Sequence, residues 1–283
     1  MSKATKVTIG CDPEFGYIQN GGLMSASSYV SGGTGSEFGT DGNSSISEIR
    51  PSYGHTPEEL VNNIKAVLAD GYKKYPAIRA FQWKAGGMAG DCALGGHIHL
   101  GHGKLTQGNF QAKVGGALDK TLSVLTLMVE DPEEALNRRV GSGYGQIGGA
   151  NSYRAQSHGV EYRTPPSWLT SPEEAKAVLS IAHLVAIYFE DDDIMDEAGA
   201  LPGFDQQSYR ECDKIGLLYY IPPIIKFLRS LPDYEKYEKD IIPLFKLIKN
   251  REIWSCHKSM IDTWGLNAEE KKKATVKKVV EYV

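Results

Sequence analysis

Two kinds of apolar pattern alternate along the first two thirds of the chain, and the first of them is typical of strands. Short runs rich in β-branched and aromatic residues predict strands over residues 5–18 and 44–51 and a short strand at 81–83. The segments 95–103 and 137–168 are strand-like as well, although the second is irregular. Polar and glycine-rich stretches separate these runs, which is typical of short strands joined by loops.

The second pattern places apolar residues at helical spacing and predicts three helices. The first begins at Thr56 and the third at Ser171. Each of these residues supplies a capping hydroxyl, and the Pro-Glu-Glu that follows supplies a proline at N1 and a glutamate at N3. The second covers residues 107–129. We therefore expect an α+β fold with one domain over 1–205 and a helical C-terminal region over 206–283 packed on it.

Pairs of polar residues interrupt the apolar pattern of the strand-like segments. Side chains at positions i and i+2 of a strand point to the same side of the sheet, so each pair would project from one face. A face that gathers carboxylates, imidazoles and guanidiniums is costly to bury unless it holds a metal and a charged ligand. The pairs are Asp12/Glu14, Glu48/Arg50, His97/His99 and Glu161/Arg163.

These residue types suit a divalent metal and an anionic ligand. His97 and His99 are the strongest metal signal, because two imidazoles on one strand face can ligate a cation. The acidic pairs offer the oxygen ligands that Mg²⁺ and Mn²⁺ prefer. Arg138, Arg139 and Arg154 add donors for carboxylate or phosphate. The alternatives are half-exposed strand histidines, solvated carboxylates and cross-strand salt bridges.

Composition narrows the class of protein. The 283 residues are 41% hydrophobic and 23% charged with a net charge of −4, so we expect a globular protein without a nucleic-acid partner. No apolar stretch reaches the length of a membrane span, and the four cysteines lack metal or disulfide spacing, so we expect a cytoplasmic protein. Residues 143–148 match GxGxxG without the strand–turn–helix context of a dinucleotide site, and no P-loop motif is present.

Three strings in order resemble the glutamine synthetase-type carboxylate–amine ligases. GCDPEFGYI at 10–18 resembles their first catalytic strand, GGHIHLG at 95–101 their G-x-H-x-H strand, and VEYRTPPSW at 160–168 their E-x-R strand. The chain is most similar to the small phage-type COOH–NH2 ligases, or amidoligases, over about residues 7–170. The resemblance implies a curved, mostly antiparallel sheet lined by metal ligands, with helices outside.

The resemblance also implies two metal positions for Mg²⁺ or Mn²⁺. Glu14 and Glu48 would ligate the metal nearer the substrate. Asp12, His97 and Glu161 would hold the metal that bridges the phosphates of ATP. Asp12 stands where the family has glutamate, which shortens that ligand but keeps its charge.

Phosphate and substrate contacts follow from the same resemblance. His99 and Arg163 would contact phosphate, with Arg154 near the transferring γ-phosphate, so that Arg154 and Arg163 would serve both ATP binding and catalysis. Arg138 or Arg139 would clamp a substrate carboxylate.

A glycine-rich segment over residues 19–43 would supply the last catalytic group. We expect it to form a hairpin followed by a mobile loop over the site. Asp41, or alternatively Glu37, would accept the proton of the amine, and Asp41 is also a possible metal ligand.

The resulting hypothesis is an ATP- and Mg²⁺-dependent ligase that forms an amide bond through an acyl phosphate. Its substrates would be a carboxylate and an amine, and peptide-like molecules are candidates for both. Two alternatives remain open at this point. One is a metal-dependent hydrolase in which the histidine pair activates water. The other is a non-catalytic binding protein built on a ligase fold.

Overall fold

The computed structural model describes residues 4–40, 42–141, 152–202, 206–268 and 271. Within them, strands pair antiparallel in a four-stranded sheet of order β1-β9-β11-β10 and a second sheet of order β3-β2-β5-β4, in which β2 also pairs with β6. A two-stranded ribbon joins β7 and β8. The strands are β1 (Thr8–Cys11), β2 (Glu14–Gln19), β3 (Gly22–Met24), β4 (Phe38–Thr40), β5 (Ser47–Ile49), β6 (Gln82–Lys84), β7 (Met88–Ala89), β8 (Cys92–Ala93), β9 (Ile98–Gly101), β10 (Tyr153–Gln156) and β11 (Gly159–Tyr162).

The chain changes sheets at Asp12 and Pro13, so the single strand predicted over 5–18 is wrong at this point. Pro13 has no N–H to offer a strand ladder, and β1 ends before it while β2 begins after it. The segment that leads into β9 spans the junction, because the carbonyl of His97 accepts from Asp12 N at 3.4 Å and the carbonyl of Gly95 accepts from Glu14 N at 2.9 Å. The two sheets therefore meet where the catalytic-type residues cluster.

The hairpin predicted in the glycine-rich segment is confirmed. It joins β2 to β3 through Asn20 and Gly21, whose φ angles are 50° and 78°. Positive φ at both central residues is the requirement of a two-residue hairpin turn, and asparagine and glycine are the residues that meet it at least cost.

Helices cover the sheets and continue to the end of the described chain. The predicted starts are confirmed: the hydroxyl of Thr56 accepts from Glu59 N, and that of Ser171 accepts from Glu174 N. The helices are α1 (Pro57–Lys74), α2 (Gly108–Leu118), α3 (Val124–Val129), α4 (Pro132–Leu136), α5 (Pro172–Ala186), α6 (Asp192–Ala200), α7 (Gln206–Arg210), α8 (Lys214–Leu217), α9 (Ile221–Ser230), α10 (Tyr234–Asn250) and α11 (Met260–Thr263). The predicted α+β class is confirmed.

The second predicted helix, 107–129, contains a wider turn that its periodicity does not reveal. A π-helical segment, Asp119–Ser123, joins α2 to α3. Such turns add one residue to the helical repeat and are frequent at functional sites. Asp119 thereby occupies a buried position behind the four-stranded sheet.

Helix α5 lies at the centre of the packing. Nearly all of its side chains are buried, which explains why it is apolar on most of its surface, and α10 packs along it. One hydrophobic cluster contains Ile9 and Leu100 of the sheet together with Trp254 and Trp264 near the C-terminus. The core thus includes residues on both sides of position 205, and the domain boundary there stays a prediction. Among the described residues, no helix combines the length and the apolar character that crossing a bilayer requires.

Candidate active site

Polar residues from both sheets converge where the segment before β9 crosses the junction. In the four-stranded sheet His99 lies opposite Gly10 on one side and Glu161 on the other, and Glu161 lies opposite Arg154. In the second sheet Glu14 lies opposite Glu48. His97, just before β9, reaches the acidic residues of both sheets.

The first acidic group consists of Asp12, His97 and Glu161. Nδ1 of His97 lies 3.4 Å from Oδ1 of Asp12 and 3.8 Å from Oε1 of Glu161. One potential ligand atom from each residue lies within 4.8 Å of the others. Glu161 is fully buried, so its carboxylate is stable there only with compensating charge.

The second acidic group consists of Glu14, Glu48 and His97, again with ligand atoms within 4.8 Å of one another. Oε2 of Glu14 accepts a hydrogen bond from Gly95 N at 2.6 Å. A Cβ at position 95 would lie too close to Nε2 of His97, so any larger residue there would displace the imidazole. The two carboxylates and the imidazole form a donor set that suits Mg²⁺ or Mn²⁺.

Three arginines neutralise these carboxylates from the solvent side. Arg154 donates to Glu161 from Nε at 2.8 Å and from Nη2 at 2.9 Å, while Nε of Arg163 lies 3.1 Å from Oε1 of the same carboxylate. Arg50 pairs with Glu48. The side chains of Arg154 and Arg163 are 56% and 39% exposed, whereas Glu161 has no exposure. The guanidiniums can therefore reach a ligand in the opening.

Two histidines, His99 and His158, contact each other at one edge of this site. Nε2 of His99 lies 2.9 Å from Oδ1 of Asp12, and Nδ1 of His99 lies 3.0 Å from Nε2 of His158. A carboxylate only accepts, so His99 donates from Nε2 and accepts at Nδ1 from His158. Burial alone would raise the pKa of Asp12, but hydrogen bonds from His97 and His99 outweigh it and hold that pKa well below its usual range. Burial, and then the nearby His99, lower the pKa of His158.

A cleft of about 720 Å³ opens beside the first acidic group. Tyr53 stands at its edge with 61% of its surface exposed. Neither Tyr53 nor His158 is predicted as a site residue from the sequence, because a lone aromatic or histidine outside a strand or helix has no spacing signal. The polar and aromatic lining includes Asp12, Arg50, Tyr53, His99, His102 and His158.

The geometry tests the four predicted pairs separately. His97 and His99 both reach Oδ1 of Asp12, as expected for residues on one face. The members of Glu48/Arg50 and of Glu161/Arg163 also contact each other. Asp12 and Glu14 are different, because Asp12 lies in the connection after β1 while Glu14 begins β2 in the other sheet.

Arg138 and Arg139 do not lie in the opening, and their burial argues against the predicted substrate clamp. The guanidinium of Arg138 is fully buried and donates to the carbonyls of Leu94, Thr164 and Pro165 at 2.9 to 3.0 Å. Burial, and then the charge of Arg139, lower the pKa of Arg138 to about 10. Arg139, 3% exposed, binds both carboxylate oxygens of Glu130 at 2.7 and 3.0 Å.

Two parts of the chain near the predicted site lie outside the described residues. They are Asp41, the predicted proton acceptor, and most of the loop before β10, which carries no predicted site residue beyond Arg138 and Arg139 at its start. Glu37, the alternative proton acceptor, is exposed, and its backbone carbonyl accepts from Arg50 N at 2.7 Å. This contact places Glu37 next to the strand that carries Glu48.

Comparison with known proteins adds independent findings. The model of the family described as phage phiEco32-like COOH.NH2 ligase-type 2 matches residues 9–266. The chain is similar to PafA, the ligase in a crystal structure of its complex with the prokaryotic ubiquitin-like protein Pup, with 13% identity, a TM-score of 0.55, and coverage of 87% of this chain and 64% of that one. This chain therefore spans 64% of the length of PafA in that structure.

A second solved structure, described as a novel glutamine synthase homolog, aligns with 10% identity, a TM-score of 0.44, and coverage of 87% of this chain and 71% of that one. No curated protein sequence matches. The similarity to PafA confirms the predicted fold, a curved antiparallel sheet with helices outside.

Proposed function

Because the chain belongs to the phage phiEco32-like COOH.NH2 ligase-type 2 family of carboxylate–amine ligases, we propose that it forms an amide bond with ATP and a divalent metal, through an acyl phosphate. The observation that carries this proposal is the pairing of buried carboxylates with exposed guanidiniums at the junction of the sheets. Such a site holds cations inside and an anion at its mouth.

The charge balance supports metal ions in the two acidic groups. With neutral histidines, the carboxylates of Asp12, Glu14, Glu48 and Glu161 exceed the guanidiniums of Arg50, Arg154 and Arg163 by one charge. Two divalent cations would make the site net positive, which suits a polyanionic triphosphate. The residues to hold them are Asp12, His97 and Glu161 on one side and Glu14 and Glu48 on the other. Bound there, the ions would neutralise charge on the phosphates.

The cleft beside Asp12 and His99 is the best place for the base and ribose of the nucleotide. It is large enough for a nucleoside, and it leads directly into the first acidic group. The exposed ring of Tyr53 provides a surface on which a base can stack. His102 and His158 supply polar contacts on the same wall.

In the proposed reaction, a substrate carboxylate oxygen attacks the γ-phosphorus of ATP and ADP leaves. The amine then attacks the carbonyl carbon of the acyl phosphate, phosphate leaves, and the nitrogen loses a proton. Arg154 and Arg163 would stabilise the transferring phosphoryl group, since charge stabilisation and positioning dominate such reactions. His99 would contact phosphate, and Asp41 or Glu37 would take the proton.

The substrates belong to a class suggested by PafA. That ligase is described in complex with a protein, Pup. We therefore propose a carboxylate and an amine carried by peptide-like substrates. The protein-linked chemistry of PafA itself is not implied for this chain.

A turnover assay with Mg²⁺, ATP and a panel of amines tests the proposal. We expect ADP release that requires both Mg²⁺ and an amine, and a loss of about 10²-fold or more in Glu14→Gln because a metal-ligating charge is removed. Tyr53→Ala should raise the KM for ATP about tenfold at nearly constant kcat, since base stacking contributes about 1–3 kcal/mol to binding. Tyr219→Ala, which removes an 85% exposed tyrosine on a helical segment, is the matched control.

Two results would contradict the proposal. Calorimetry that detects no binding of Mg²⁺ with a non-hydrolysable ATP analogue would exclude an ATP-dependent ligase. Bond cleavage without ATP, by protein that retains zinc or iron after purification, would instead favour the hydrolase.

A further inference from the structure

A buried carboxylate lies behind the end of β11, the strand that carries Glu161 and leads into Arg163. Asp119 begins the π-helical turn between α2 and α3 and is 3% exposed. Its Oδ1 accepts two hydrogen bonds, from the hydroxyl of Tyr162 at 2.7 Å and from Oγ1 of Thr164 at 3.1 Å. A carboxylate only accepts, so Tyr162 and Thr164 are the donors in both bonds.

Tyr162 and Thr164 flank Arg163 in the sequence. Because side chains alternate along an extended segment, Tyr162 and Thr164 point to Asp119 while Glu161 and Arg163 point to the opening. The contacts agree with this alternation, since Arg163 Nε lies 3.1 Å from Glu161 Oε1 and both donors to Asp119 are buried. One oxygen atom thus fixes the segment on either side of Arg163.

The ladder of the sheet supports this segment less than the rest of β11. Paired register between β11 and β9 runs from Gly159 to Tyr162, where the strand ends. Beyond it, Arg163 N donates to Ser152 O at 2.7 Å, and the guanidinium of Arg138 holds the carbonyls of Thr164 and Pro165. Main-chain contacts continue past the end of β11, since Gly96 N donates to the carbonyl of Pro165 at 3.0 Å, and the buried side chains add to them where the phosphate-contacting residue is presented.

We propose that Asp119 is a positioning residue, which acts through Tyr162 and Thr164 to set the guanidinium of Arg163 and the carboxylate of Glu161 for phosphoryl transfer. The proposal rests on the proposed function, because it assigns Asp119 a part in that reaction. The π-helical turn explains how a helix residue faces the sheet at this point: it shifts the helix register by one residue between α2 and α3. Within this turn, the hydroxyl of Ser123 donates a hydrogen bond to the backbone carbonyl of Asp119.

The test compares Tyr162→Phe, Thr164→Val and their double variant with Tyr188→Phe. Tyr188 is an equally buried tyrosine whose hydroxyl donates to Asp233 at 2.8 Å, away from the site. We expect the double variant to lose about tenfold or more in kcat with a smaller change in the KM for ATP, because small displacements of a catalytic group cost rate more than binding. Asp119→Asn keeps an accepting oxygen and should stay within about threefold of the wild-type kcat.

Hydrogen–deuterium exchange over residues 160–166 gives a readout that does not require the ligase reaction. Loss of protection in the double variant, with protection kept in Asp119→Asn and Tyr188→Phe, supports the proposal. Unchanged protection, or a kcat loss in Tyr188→Phe equal to that in the double variant, overturns it. If the double variant loses protection but the wild-type protein does not turn over ATP, then Asp119 holds the segment as argued. The proposed function, and with it the role of Asp119 in phosphoryl transfer, would in that case be wrong.

Discussion

Two clusters of carboxylates and guanidiniums lie close together in this protein and differ in what their arginines contact. In the open cluster (Asp12, Glu14, Glu48, His97 and Glu161 with Arg50, Arg154 and Arg163), the three glutamates are buried, Asp12 is 19% exposed, and the arginines are partly exposed. In the sealed cluster (Glu130, Arg138 and Arg139), every charged group is buried and the arginines bind carbonyls and one carboxylate.

Arginine content alone therefore does not identify a ligand site. A guanidinium that is exposed beside a buried carboxylate can exchange part of its contacts for a phosphate. A guanidinium that is buried against a carboxylate can leave only at the cost of an uncompensated charge. The open cluster is therefore suited to chemistry, and the sealed cluster to holding the segments that frame it.

The strongest test of this contrast is Arg139→Met. We expect a loss of about 3–5 kcal/mol in the free energy of unfolding, because Glu130 is left buried without its partner. Urea denaturation measures it, and kcat per folded molecule should change little. Arg139→Met combined with Glu130→Leu should recover much of the stability; a double variant as unstable as the single one would contradict this account.

Arg154→Met makes the complementary test in the open cluster. The free energy of unfolding should change by less than about 1 kcal/mol, since Arg154 is 56% exposed and Glu161 keeps Arg163 and Gln156 as partners. The kcat should fall by about 10² to 10³-fold, as when one stabilising donor is removed from a transition state. An Arg154→Met protein that is destabilised but keeps the wild-type kcat would contradict this account, because Arg154 would then have a structural role instead of a catalytic one.

The smallest expected effect is a pH dependence of the sealed cluster. Burial raises the pKa of Glu130, but the charge of Arg139 outweighs it, so the pKa in the folded protein lies below its ordinary value of 4.5. The ionised carboxylate of Glu130 therefore stabilises the fold above pH 4.5. This contribution is lost as the pH falls below 4.5 and through the lowered pKa. The stability advantage of wild type over Glu130→Gln should therefore shrink in acid by at most about 1.4 kcal/mol per pH unit. Chemical denaturation between pH 3 and pH 6 measures it, and a constant difference would show that Glu130 does not titrate in this way.

Local rules predicted the parts of the site that depend on backbone geometry. The capping sequences at Thr56 and Ser171 begin helices where expected, because a cap needs only residues within one turn. The pairs His97/His99 and Glu161/Arg163 share faces, because alternation is a property of the extended chain. The same rule failed for Asp12 and Glu14, because Pro13 ends one strand and the chain enters another sheet.

Local sequence patterns are enough to predict the class of fold, the starts of the main helices and the residue types of the site. Long-range packing sets which arginines face the opening, brings Asp119 to the end of β11, and places Tyr53 and His158 in one cleft. The physical reason is the range of each effect. Periodicity and capping act within a few residues, whereas burial and charge compensation depend on neighbours that lie far apart along the chain, such as Asp12, His97 and Glu161.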